Sequence, residues 1–153
     1  MPKSKRPRKK YQKKNLDTHS IFIRKDEYER IQALFVDIQL FVEIKLPRGT
    51  LSMNDVQKMR DAMNFATMLI WAGHRFDAEK FERDSGVEWK KFIDAFHSFY
   101  ERAMTRGIFT ATGDELNTMR DGFEVAGKVI KEELEQEPKW CLKVFNHMKR
   151  LTD

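Results

Sequence analysis

The chain has a single cysteine, Cys141. It has no partner for an internal disulfide and no companion for a thiolate metal site. Its expected place is that of a small, half-buried residue near the C-terminus. Proline and glycine are scarce as well, four and seven of 153 residues, and they fall mostly between periodic segments. That favours helices joined by short loops over a turn-rich fold. No apolar run approaches the ~18–20 residues that a membrane span needs. One apolar stretch, Leu40-Phe41-Val42-Glu43-Ile44, is interrupted by a charge. The basic start is not followed by the apolar core of a signal peptide, so a soluble, cytoplasmic protein with no membrane partner is expected.

Signatures of chemistry are also lacking. The four histidines, His19, His74, His97 and His147, are scattered, and no H-E-x-x-H is present. There is no G-x-S-x-G, and no Gly-rich loop follows a strand. One arrangement deserves a test, Asp94-x-x-His97 with Glu101 a turn later, because a carboxylate beside an imidazole can move protons or bind a metal. Asp94 and His97 lie off the apolar seam of their segment, so they are expected at solvent or a helix edge. The expectation is a non-enzymatic protein with no cofactor and no metal. Glu132, Glu133, Glu135 and Glu137 are expected to form a solvated acidic end.

The charge is present but unevenly placed. Residues 1–14 hold eight Lys or Arg and no acid, whereas the whole chain holds 29 bases and 24 acids. The remainder therefore has 21 bases against 24 acids, a balance of −3. The basic character belongs to a tail and not to the body, which points to a polyanionic partner. Such a segment, with two prolines and no apolar anchor, is expected to be disordered by itself. The candidate nucleic-acid contacts are Lys3, Lys5, Arg6, Arg8, Lys9, Lys10, Tyr11, Lys13 and Lys14. The lysines suit phosphates, Arg6 and Arg8 can fork onto a guanine edge, and Tyr11 can stack on an unpaired base. A second basic face is expected from Lys139, Lys143 and His147, with Lys149 and Arg150 beyond.

Apolar spacing sets the fold class. Ile31, Leu34, Ile38 and Phe41 step by three and four. So do Val56, Met59, Met63, Ala66 and Ile70; Trp89, Phe92, Phe96, Phe99 and Ala103; and Leu116, Met119, Phe123, Ala126 and Ile130. Each is a helical seam, and none alternates as a strand would. The prediction is all-α: an antiparallel bundle of four to five helices near 25–46, 53–72, 77–106, 113–136 and 139–150. The third is expected to kink or restart around Asp84-Ser85-Gly86. The domain plan is a basic arm over 1–14, a junction over 15–24 and a bundle over 25–153. The junction holds Ile21-Phe22-Ile23, read either as an extended strap or as the start of the first helix. Ser52-x-x-Asp55, Ser85-x-x-Glu88 and Thr112-x-x-Glu115 mark helix starts, the last two as strict capping boxes. Gly73 and Gly107 fit left-handed helix ends, and Pro138 a helix start. Gly122 and Gly127, inside a helix, are expected where another backbone comes close. Leu40, Val42 and Ile44 add an apolar excess that points either to burial or to a homodimer face.

The layout resembles a loose group of small basic helical proteins encoded by prophages and mobile elements of Gram-negative bacteria. The features that carry the likeness are Pro2-Lys3-Ser4-Lys5-Arg6-Pro7-Arg8-Lys9-Lys10, a Gly-terminated second helix, a long third helix, the Thr-x-x-Glu entry and the Ala/Gly-containing fourth helix. They span most of residues 1–135. The resemblance implies a genomic setting and carries no catalytic residues. Two functions follow as expectations. One is a binding protein that contacts DNA, RNA or a nucleoprotein through its arm. The other is a protein–protein effector, an inhibitor or regulator of a host factor, acting through the helical surface. An acidic protein surface, including this chain's own Glu132–Glu137 region, is the remaining target for the arm.

Overall fold

A computed structural model describes residues 14–72 and 77–152, with side chains from 26 onward except at 72, 78 and 152. Among the described residues every regular element is a helix. Helix α1 is Lys14–Leu40 and runs on through a wide π turn, Phe41–Lys45, and a last turn, Leu46–Arg48. Then come α2 (Met53–Ala72), α3 (Ala78–Ser85), α4 (Trp89–Arg106), α5 (Gly113–Gln136) and α6 (Pro138–Thr152). The backbone of residues 15–24 is part of α1, so of the two readings of that segment the helix start is the one found. Residues 1–13 of the arm lie outside the described residues, as does Gly73.

All four seams point inward. Every seam residue is buried except Leu34 and Leu116, which pack against the core's edge. Side-chain pairs fix the directions. Asp37 pairs with Lys58 and Lys45 with Asp55, so α2 runs back along α1. Trp89 Nε1 donates to Thr67 Oγ1 at 3.0 Å and Arg60 donates to Tyr100 at 3.0 Å, so α4 runs back along α2. Arg102 pairs with Glu115, so α5 runs back along α4. Helices α2 and α5 are therefore parallel, and they form the central pair against which α1, α4 and α6 pack. Four aromatic contacts run through the middle: Phe81–Trp89, Trp89–Phe92, Phe92–Phe123 and Phe96–Phe123, with centroids 4.9–5.9 Å apart and edges meeting faces. Each such pair adds about 0.5–1.5 kcal/mol beyond its buried area.

The helix ends correct several expectations. Ser52 and Asp55 form the reciprocal capping box: Ser52 N donates to Asp55 Oδ2 at 3.0 Å, and Asp55 N donates to Ser52 Oγ at 3.1 Å. Burial alone would raise the Asp55 carboxyl, but these bonds and the Lys45 ammonium outweigh it and hold the group below 3.8. The two sequences read as strict boxes do not close. Ser85 ends α3 and its Oγ accepts from Val87 N, while Glu88 caps α4 through backbone alone. Thr112 makes no side-chain cap, and the Glu115 carboxylate that would close the other half of the box is taken by Arg102. The third helix is two helices, divided where Gly86 turns left-handed at φ 69°. Gly107 ends α4 as expected.

Gly122 and Gly127 also depart from expectation. What comes close is an aromatic ring, not a backbone. A Cβ on Gly122 would overlap the Phe92 ring, and one on Gly127 would overlap Phe35. An exposed helical Gly→Ala change gains about 1 kcal/mol, whereas overpacking a core costs about 1–3 kcal/mol. Gly122→Ala and Gly127→Ala are each expected to destabilise by up to about 2 kcal/mol net in urea unfolding. Gly113→Ala, where a Cβ meets open space, is expected to be neutral or stabilising. Stabilisation by Gly122→Ala would show that Phe92 does not occupy this seat.

Candidate nucleic-acid interface

Pro138 opens α6 directly after α5, and the helix buries one side completely. Cys141, Leu142, Val144, Phe145 and Met148 enter the core, with Phe65 edge-on to Phe145 at 5.3 Å. Cys141 is therefore fully buried and not half-buried. Burial, and then the nearby Glu133 charge, push its thiol up to about 12. The other side of α6 is basic. Lys139, Lys143, His147 and Arg150 are exposed. None of these four makes an ion pair or hydrogen bond among the described residues. Lys149 is set apart, half-buried with its ammonium 4.9 Å from the centroid of the Phe145 ring. Four of the five expected members thus share a solvent face, and the fifth lies along the core's edge.

The arm contacts Lys3, Lys5, Arg6, Arg8, Lys9, Lys10, Tyr11 and Lys13 lie outside the described residues, and Lys14 is the first residue of α1. The amide of Asn146 in α6 donates to the Glu27 carboxylate in α1 at 3.3 Å. This contact ties the helix that follows the arm to the helix that carries the basic face.

The other candidates separate. Asp94, His97 and Glu101 are all exposed on the outer side of α4, and none of them lines the α1–α5 grooves or the cleft between α3 and α5. Among the described residues no group of three His, Cys, Asp or Glu is placed to hold a metal ion. The acidic end is not uniformly solvated. Glu132, Glu135 and Glu137 are exposed, but Glu133 is 1% exposed. The signal was legible, since Glu133 falls three residues after the seam residue Ile130. No helix among the described residues is long and apolar enough to cross a membrane.

A second surface was only partly foreseen. Val42 enters the core, while Leu40 and Ile44 stay 44% and 45% exposed and are joined by Val36 at 62%. The three step by four along the outside of α1. Beside them a groove of about 360 Å³ runs between α1 and α5, lined by Tyr28, Phe35, Val36, Ile130 and Leu134 among others. Val36 was the residue missed, although its spacing to Leu40 pointed to it.

Comparison with protein families, characterised proteins and solved structures finds no match to this chain. A reading of function therefore rests on these surfaces.

The seating of α6 is directly measurable. Cys141 is expected to resist alkylation at pH 8 in the folded protein and to react fully in denaturant. With its folded value raised from 9.0 to about 12, its contribution to stability is complete below pH 9 and is lost as pH rises toward 12. Rapid native alkylation at pH 8 would contradict a buried α6 face.

Proposed function

We propose that this is a non-enzymatic, cytoplasmic binding protein of a prophage or mobile element. Its basic arm contacts DNA, RNA or a nucleoprotein, and the helical bundle is its platform. One observation carries the reading: eight bases without an acid in residues 1–14, on a remainder of −3. A polyphosphate repays such a tail by releasing its counterions, and each neutralised phosphate adds about 0.9 to the log–log salt slope on duplex DNA. Lysine predominates in the arm, which suits attraction to phosphate more than reading of bases.

The test keeps the chain length and neutralises residues 3–13, replacing their seven bases by Gln. The intact protein is expected to bind nucleic acid with a salt slope of about −3 to −4 from the arm, if four phosphates are engaged. The neutralised chain should lose that part of the slope. Equal binding by both chains, or by neither at low salt, overturns the reading.

A second reading is favoured by the exposed row Val36, Leu40 and Ile44 beside the α1–α5 groove. An apolar row of this kind marks a protein contact. Here the protein is an effector that grips a host factor, or a second copy of itself, through the helical surface. The expectation is a stoichiometric protein partner retained after nuclease treatment by the arm-neutralised chain and released by Leu40→Lys. Retention in the Leu40→Lys variant rules out this face.

A further inference from the structure

The basic face of α6 is hard to explain by the needs of the fold. The helix Pro138–Thr152 contains four Lys or Arg and no Asp or Glu. Residues 15–137, by contrast, hold 17 bases against 23 acids, a balance of −6. Cations are favoured at a helix C-terminus, where the peptide dipoles leave negative charge. That accounts for Lys149 and Arg150, which stand in the last turn. It does not account for Lys139 or Lys143. Lys139 stands in the first turn, at the positive end of the dipole, where a cation is disfavoured. Nor do ion pairs account for them, since none is made among the described residues.

The geometry is that of a row. At 100° per residue, positions 139, 143, 147 and 150 fall within a sector of about 80°, and they span about 16 Å at 1.5 Å per residue. The four-residue steps place successive side chains about 6 Å apart along the helix axis, a spacing comparable to that of phosphates along one nucleic-acid strand. No exposed Phe, Tyr or Trp stands on α6 for unpaired bases to stack on; the one ring in the row is His147, and Trp140 beside the row is half-buried. The row also lies near the arm's point of attachment. Helices α1 and α6 run the same way past their contact at Glu27 and Asn146. Lys14 stands 13 residues before Glu27, and Lys139 stands seven before Asn146, so both lie on the same side of that contact. Residues 1–13 reach up to about 45 Å when extended, enough to follow the same polyanion beyond the row.

We infer that the α6 row of Lys139, Lys143, His147 and Arg150 is a second phosphate-contacting face, which lies along the backbone of a nucleic-acid duplex. The inference rests on the nucleic-acid reading above and adds to it a fixed element. The arm supplies diffuse attraction, and a row on a rigid, core-seated helix sets how the bundle lies on the duplex. Contacts to phosphates carry no sequence information, so a row that lies along the backbone contributes independently of sequence.

The test uses the full chain. Lys139→Gln/Lys143→Gln/Arg150→Gln is titrated against a fluorescent duplex at several salt concentrations, with Cys141 protection as the check that α6 remains seated. The salt slope is expected to fall by about 2 to 3, to the same extent on duplexes of unrelated sequence. The control Lys90→Gln/Lys91→Gln/Arg106→Gln, on exposed positions of α4, removes the same charge and is expected to leave the slope unchanged. Lys143→Glu alone should weaken binding without exposing Cys141, which covers the case of a triple variant that does not fold. An unchanged slope in the triple variant, with loss of binding when only the arm is neutralised, overturns the row and leaves the arm. Equal losses in triple and control also overturn it, as does tighter binding to a single strand of the same length. No effect of arm neutralisation, with loss in the triple variant, overturns the arm reading and leaves the row.

Discussion

Two missing side chains set how closely this bundle packs. On α5, Gly122 and Gly127 lie five residues apart and so open toward different neighbours. The Phe92 ring of α4 fills the first seat and the Phe35 ring of α1 fills the second. With any larger residue at either place, a ring would have to leave and a helix would have to move out. The edge-to-face chain from Phe81 to Phe96 depends on the first seat, because Phe92 is its link to Phe123. Helix propensity disfavours glycine here by roughly 1 kcal/mol per site. At the first seat the fully buried Phe92 ring more than offsets this, being worth about 1.5–3 kcal/mol; Phe35 at the second is half-buried.

The same packing decides which charges face outward. Helix α6 is seated by Cys141, Leu142, Val144, Phe145 and Met148, so its remaining side can only meet solvent or a partner. That side is basic, on a body that is acidic elsewhere. The arm repeats the pattern in sequence: a concentrated positive segment attached to a chain of opposite balance. Two separate basic elements thus stand on a scaffold whose remaining charge is of the opposite sign. The outer row of α1 is of another kind. It is apolar, it borders a groove, and it owes nothing to charge.

Where reasoning from residues went astray, a tertiary competitor was the cause. Glu115 had the spacing of a capping-box partner, but Arg102 from another helix is a stronger ligand for a carboxylate than a backbone amide. Ser52–Asp55 had the weaker signature and closed fully, with Lys45 arriving from α1 to support the carboxylate. Glu133 looked like one acid among four until its seam position took it into the core. Asp94, His97 and Glu101 were legible as an outward-facing group, because none of them falls on the seam of α4.

What the sequence determined by itself was periodicity and charge. Steps of three and four dictate helices and name their inner faces, since a helix places those positions on one side whatever it packs against. Charge segregation is equally local, a count along the chain. Only the tertiary structure decided which helix meets which, and hence the parallel pairing of α2 and α5, the aromatic occupants of the two glycine seats and the split of Val42 from Leu40 and Ile44. Those outcomes depend on contacts between residues distant in the chain, and spacing along one helix carries no information about what stands opposite it.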